Sequence, residues 1–167
     1  MMNTMFLADL INPNVDITII LPEMVVAVAG VVVMVYDSFF PKQRFVSGAV
    51  SLICLGIAGV LLAMMWTGAY PVMTAFNGMV VHDSLRLSFS FVFLFVTAMT
   101  ILISTVWVER EDVPAGEYHA LLMFATFGMM LMAAGNDLVV IFLGLETLSI
   151  ATYVMAGLRK GDLRSNE

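Results

Sequence analysis

A single carboxylate inside a long apolar stretch is the group of this sequence most suited to chemistry within a membrane. The stretch runs from Asn136 to Gly157, and Glu146 is the only charged residue between Asp137 and Arg159. With a rise of 1.5 Å per residue, about 20 helical residues measure about 30 Å, which is the thickness of a bilayer's hydrocarbon core. A carboxylate at that depth is costly unless it faces protein or water, so Glu146 is a candidate functional residue.

Two polar residues follow Glu146 at helical spacing. Ser149 lies three residues after it and Tyr153 seven residues after it, so the three side chains share one face of a helix. A buried carboxyl group whose cationic neighbour moves can change its protonation state near neutral pH. The pattern therefore predicts a proton relay, with Glu146 as the relay group and Ser149 and Tyr153 as its polar neighbours.

A second interpretation of Glu146 is structural. The carboxyl group would be protonated and hydrogen-bonded to a neighbouring helix, and it would serve only in packing. The preceding apolar run could face it with Thr126 and with the small residues Ala125 and Gly128, which permit close helix approach. The sequence favours the relay and leaves the packing role open.

The composition is that of an integral membrane protein. Hydrophobic residues make up 61% of the chain, charged residues make up 12%, and the mean hydropathy is +0.99. Soluble domains are close to half apolar and a quarter charged. The net charge of −6 argues against nucleic acid as a partner. Cys54 is the only cysteine, and the sequence shows no spacing of metal ligands, so we expect no metal site.

Five apolar runs are each long enough to span a membrane, and they predict an all-α transmembrane fold. We treat residues 1–167 as a single transmembrane region. Between the second and third runs, Asn77-Gly78 stands among β-favouring residues, which predicts a small hairpin in that loop. The predicted spans cover approximately residues 17–36, 45–67, 87–108, 118–135 and 138–157.

The distribution of loop cations predicts the orientation of the chain. Six of the seven lysines and arginines follow the first, third or fifth span, and one lies on the other side. The positive-inside rule then places the amino terminus outside and the carboxyl end in the cytoplasm. The six are Lys42, Arg44, Arg110, Arg159, Lys160 and Arg164, and the seventh is Arg86.

Other polar residues invite simpler explanations. Glu23 lies near one end of the first span, where we expect an interfacial position, although an ion-pairing role is open. His82 in the hairpin loop is not a metal site by itself, and His119 near the start of the fourth run is expected to be an interfacial anchor. The hydroxyl groups of the third span are expected to bond to carbonyl groups of their own helix. They belong to Thr97, Thr100, Ser104 and Thr105.

Several short motifs of this sequence are specific enough to indicate a family. The most specific motifs are Glu117-Tyr118, Gly128-Met129-Met130-Leu131-Met132, Asn136-Asp137-Leu138, Leu143-Gly144-Leu145-Glu146 and Leu163-Arg164-Ser165-Asn166-Glu167. They resemble subunit N of the proton-pumping NADH–quinone oxidoreductases, the respiratory complex I family. Related antiporter-like subunits and cation/proton antiporters share the acidic residue of the fifth span. Leu21-Pro22-Glu23 and Phe76-Asn77-Gly78-Met79 fit the same subunit.

The resemblance implies a proton-translocating membrane subunit of the bacterial plasma (inner) membrane. It implies that Glu146 pairs with a lysine two helices further on, which this sequence does not contain. Family members have about fourteen helices, so the chain corresponds to the amino-terminal third and is incomplete relative to the family. The resemblance also implies that NADH, FMN, iron–sulfur clusters and quinone bind to partner subunits, and that this chain binds no cofactor itself.

Two other functions stay open at this point. The chain could be a subunit of an Mrp-type cation/proton antiporter, whose signature would be sodium-dependent transport without NADH oxidation. It could also be an assembly scaffold that does not transport protons, with Glu146 merely packed. A membrane-embedded enzyme with its own active site is disfavoured, because the spans contain no nucleophile–base pair.

Overall fold

The computed structural model describes residues 16–39, 44–68, 73–110 and 113–158. Five helices in these ranges are long and apolar enough to cross a membrane, which confirms the predicted all-α transmembrane fold. The cations Lys42, Arg159, Lys160 and Arg164 lie outside the described residues, and the orientation of the chain stays a prediction. The helices are α1 Leu21–Phe39, α2 Arg44–Thr67, α3 Ser84–Arg110, α4 Ala115–Ala134 and α5 Leu138–Ala156.

Aspartate side chains set the starts of several elements. A 3-10 turn, Ile17–Ile20, precedes α1, and Asp16 accepts a hydrogen bond from the Thr18 amide at its start. Asp83 accepts a hydrogen bond of 2.7 Å from the Arg86 amide, so α3 begins at Ser84. Asp137 caps α5 in the same way. Each carboxylate satisfies an amide that the first turn of a helix leaves unpaired.

The fourth helix is the centre of the bundle. It contacts α1, α2, α3 and α5, and 44% of its apolar stretch is buried. Helix α5 packs mainly on α4, and only 11% of its apolar stretch is buried. One side of α5 is therefore covered by α4, and the described residues leave its other side open.

Helices α4 and α5 cross at two glycines. A Cβ atom on Gly128 would lie 2.7 Å from the carbonyl oxygen of Gly144, and a Cβ atom on Gly144 would lie 2.7 Å from the carbonyl oxygen of Gly128. These distances are too short for real carbon–oxygen contacts, so the backbones can approach only because both residues lack a side chain. The predicted role of Gly128 in close packing against α5 is therefore found at this crossing.

We expect Gly128→Ala to push α4 and α5 apart and to destabilise the bundle by about 1–3 kcal/mol, the usual cost of overpacking. The change is measured as the free energy of unfolding in detergent micelles. Gly56→Ala on α2 is the matched control, because nothing lies within 4 Å of a Cβ atom there. Equal stability of the two variants would contradict the crossing.

The predicted hairpin is present. Strands β1 Met73–Ala75 and β2 Val80–His82 pair antiparallel. The connecting turn contains Phe76, Asn77 and Gly78 in succession with positive φ, and the last two are residues that tolerate this conformation.

The hairpin is attached to the short connection between α4 and α5. The amide and side chain of Asn136 donate hydrogen bonds of 2.8 Å to the carbonyl groups of Met79 and Gly78, respectively. Val80 and Gly135 form an isolated bridge beside them. The start of α5 is thus held against the hairpin, and we call this the hairpin end of the bundle.

Candidate functional site

Glu146 lies on the open side of α5. The buried residues of this helix are Gly144 and Ala151, which face α4. Glu146 follows Gly144 by two residues, which is about 200° around a helix. Its side chain is accordingly exposed on the surface that the described residues form.

The polar neighbours predicted for Glu146 lie on the same open side. Ser149 is half-buried, and Tyr153 is 75% exposed. The adjacent threonines bond within α5 itself. The Thr147 hydroxyl donates to the Leu143 carbonyl at 2.8 Å, and the Thr152 hydroxyl donates to the Leu148 carbonyl at 3.0 Å. The stripe Glu146–Ser149–Tyr153 therefore faces away from the bundle.

Thr126 does not face Glu146, contrary to the sequence-based suggestion. Its side chain is buried between α3 and α4, where its hydroxyl lies 2.6 Å from the hydroxyl of Thr97. It also donates to the carbonyl of Leu122. The expectation for Thr97 was likewise wrong, because its hydroxyl bonds across to α4. Thr100 and Thr105 do bond back to their own helix.

The expected interfacial position of Glu23 is also wrong. Its side chain is 1% exposed, and its Oε1 atom lies 2.6 Å from Nη2 of Arg86, which is fully buried. Burial of one charge is costly in a membrane protein, but an opposite charge with good geometry offsets that cost. The two residues form an intramolecular ion pair near the hairpin end, so the ion-pairing role that the sequence left open is the correct one.

Arg86 joins three segments. Besides Glu23, its guanidinium donates hydrogen bonds to the carbonyl of Ile19 at 2.6 Å and to the carbonyl of Val81 at 3.3 Å. The Ile19 carbonyl belongs to the 3-10 turn, and Val81 is in β2. The planar donor fork of arginine suits such a junction. The sequence indicated one acid and one cation at the same end of the bundle, but nothing in it identified Arg86 as the partner of Glu23.

His119 is not an interfacial anchor. It is 2% exposed, and its Nδ1 atom lies 3.1 Å from the hydroxyl of Ser47 on α2. Gly48 makes room for the ring, because a Cβ atom at that position would lie 3.3 Å from Cε1 of His119. The histidine is therefore part of the packing between α2 and α4.

His82 is buried at the end of β2, outside the membrane-spanning helices. Burial lowers the pKa of this histidine below its ordinary value of 6.5, the charge of Arg86 lowers it further, and Asp83 opposes the shift. The folded protein thus favours neutral His82. As the pH falls below the unfolded-state value, the unfolded chain gains the proton first, and stability is lost.

We expect the hairpin end to lose stability as the pH falls below about 6.5, the ordinary histidine pKa. Amide hydrogen exchange of residues 80–86, corrected for the intrinsic pH dependence of exchange, measures this loss. In His82→Gln the residue cannot titrate, and this part of the pH dependence should vanish. An unchanged pH profile in the variant would show that another group is responsible.

Within the described ranges, no group of three or more His, Cys, Asp or Glu residues could hold a metal ion. The arrangement offers two kinds of protonatable groups instead. Glu23 and His119 are enclosed by the bundle, whereas Glu146 lies on its open surface. The Glu146 side chain is exposed on the side of α5 that the described residues leave open.

The sequence and these five helices define a polytopic α-helical membrane protein. No family model matches the sequence. The curated relatives include the NADH-quinone oxidoreductase subunit N of Trichlorobacter lovleyi, which is 37% identical over 155 residues. NADH-quinone oxidoreductase subunit N 1 of Solibacter usitatus is 40% identical over 157 residues. NAD(P)H-quinone oxidoreductase subunit 2 of Synechococcus sp. is 37% identical over 162 residues.

These alignments cover between 92% and 95% of this chain. They cover between 30% and 32% of the relatives, so the chain spans about a third of their length. The resemblance that the short motifs indicated is confirmed. Over nearly its whole length the chain is similar to a part of NADH-quinone oxidoreductase N subunits.

Proposed function

We propose that the chain forms part of a proton-translocating, antiporter-like subunit of an NADH–quinone oxidoreductase in the bacterial inner membrane. The observation that carries the proposal is the similarity to N subunits, at 37–40% identity in the relatives named above, over nearly the whole chain. The central acid of α5 adds chemical support, because an ionisable residue within a membrane helix marks a proton or ion pathway by default.

Glu146 is the proposed relay group. Its open side of α5 is available for helices that lie outside this sequence, and one of them would supply a lysine. When the ammonium group is close, the ionised carboxylate is favoured, and when it moves away in a low-dielectric site, the protonated form is favoured. Ser149 and Tyr153 lie along the same side and would offer hydroxyl groups to the carboxyl or to water between the helices.

The redox chemistry of the complex belongs to partner subunits in this proposal. NADH, FMN, iron–sulfur clusters and quinone would bind there, and this chain would respond to electron transfer through charge movements. Other membrane subunits of the complex and the lipid bilayer are its proposed partners. No nucleic acid is involved.

Purification of the tagged full-length protein from native membranes tests the proposal. We expect it to copurify with NADH–quinone reductase activity and with subunits that carry flavin and iron–sulfur absorbance. Copurification with sodium-dependent antiport and without NADH oxidation would instead identify an Mrp-type antiporter. In that case the assignment to an NADH–quinone oxidoreductase is wrong, even if Glu146 carries protons.

A further inference from the structure

One face of α3 carries a line of buried polar side chains through the bundle. Arg86, Ser90, Thr97 and Ser104 all have less than a tenth of their surface exposed. Their spacings of four, seven and seven residues keep them on one side of a helix. The line extends over 18 residues, about 27 Å at the helical rise, which is close to the thickness of the hydrocarbon core.

Two members of this line have a partner from another helix, while the Ser104 hydroxyl donates to the Ile101 carbonyl of its own helix. Glu23 of α1 meets Arg86 near the hairpin end, and Thr126 of α4 meets Thr97 in the middle. The Thr97–Thr126 contact sets the antiparallel register of α3 and α4, which places His119 at the level of Ser104. Ser47 of α2 bonds to His119 there, and Ser51 donates to the Ser47 carbonyl one turn along.

Three polar atoms in this core have no hydrogen-bond partner among the described residues. They are Oε2 of Glu23, Oγ of Ser90 and Nε2 of His119. The three side chains are at most 2% exposed, so bulk solvent does not reach them. Their positions are at the hairpin end, one turn further along α3, and near the opposite end.

An unpartnered polar atom has a large free-energy cost in a membrane interior, because no water is available from the lipid. His119 cannot remove this cost by changing tautomer. If Ser47 donates to Nδ1, then Nε2 carries a proton that needs an acceptor, and in the other tautomer Nε2 needs a donor. Either way, a group that can donate or accept is required.

We propose that the core between α1, α2, α3 and α4 binds water at three sites, at Glu23 Oε2, Ser90 Oγ and His119 Nε2. Water suits all three atoms because it both donates and accepts hydrogen bonds, and buried water in proteins typically serves groups of this kind. A bound metal ion is disfavoured, because the described residues place no group of three or more His, Cys, Asp or Glu side chains around any of these atoms.

The sites would explain how so many polar side chains are kept in a lipid-embedded bundle. Polar contacts such as Thr97–Thr126 join the helices at defined levels, and water would complete the hydrogen bonding that protein groups leave unfinished. This inference concerns the four-helix core alone and does not depend on proton transport through Glu146.

A density map of the assembled native complex, at a resolution where ordered water is visible, tests the sites. We expect density within hydrogen-bond distance, about 2.7–3.2 Å, of each of the three atoms. A side chain from a segment outside the described ranges at any one of them would overturn the proposal. Dry apolar packing around any one of them would do the same.

Ser90→Ala provides a second test that does not depend on the map. If no water is bound at Ser90 Oγ, the Ser90→Ala substitution should raise the unfolding midpoint, because it removes a buried polar atom that has no hydrogen-bond partner. If the hydroxyl holds water, the midpoint should stay or fall. Ser88→Ala is the matched control, since Ser88 is an exposed serine of the same helix that bonds to its own Ser84 carbonyl at 2.7 Å. A higher midpoint in Ser90→Ala than in Ser88→Ala overturns the site at Ser90.

Discussion

Replacement of Glu146 by Gln is expected to abolish proton transfer through this subunit. Glutamine keeps the size and polarity of the side chain but cannot release or take up a proton in the physiological range. Proton transfer by a positioned side chain contributes on the order of 10²–10⁴-fold to a rate, so the loss should be large. Proton translocation per NADH oxidised, measured in vesicles that contain the assembled complex, gives the result.

Glu146→Asp is the matched control for this substitution. It retains the carboxyl group on a shorter side chain, and it should keep part of the activity that the Gln variant loses. Normal assembly of both variants must be shown alongside. If Glu146→Gln assembles and translocates protons as the unmodified complex does, Glu146 is a packing residue and the relay is wrong.

Replacement of Arg86 by Met is expected to have the largest effect on stability. The methionine removes the cation and leaves the Glu23 carboxylate buried without its partner. It also removes the donors to Ile19 and Val81. Breaking a buried ion pair by removing one partner typically costs about 3–5 kcal/mol. The free energy of unfolding in detergent micelles measures the change.

A double variant separates the ion pair from the rest of the junction. Arg86→Met with Glu23→Leu removes both charges, and it should recover much of the stability, because no unpaired charge is left in the core. Arg110→Met is the control, since Arg110 is exposed in the last turn of the same helix and its loss should cost at most about 0.5 kcal/mol. Equal effects of Arg86→Met and Arg110→Met would contradict the buried pair.

Hydropathy and turn chemistry were sufficient to predict the main elements. Apolar runs of about 20 residues have few stable alternatives to membrane helices, and Asn77-Gly78 suits a hairpin because both residues accept positive φ. The close approach of α4 and α5 was also predictable, because their connection is short and Gly128 lies on α4. All of these inferences depend on residues that are close together in the sequence.

The pairings between distant residues were not predictable in the same way. Glu23 and Arg86 are 63 residues apart, and Ser47 and His119 are 72 residues apart. A charged or polar residue near a helix end is compatible with both an interface and a buried partner, and only the helix arrangement decides between them. The spacing of Arg86, Ser90, Thr97 and Ser104 was an available signal, since it places four polar residues on one face of α3.

A structure of the complete protein within its native complex would show whether Glu146 has the partner that a relay group requires. We expect helices outside this sequence to cover the open side of α5, and a lysine ammonium to lie within about 4 Å of the Glu146 carboxylate in at least one state. The relay is wrong if the Glu146 side chain points into lipid without a cation, a hydroxyl group or water beside it.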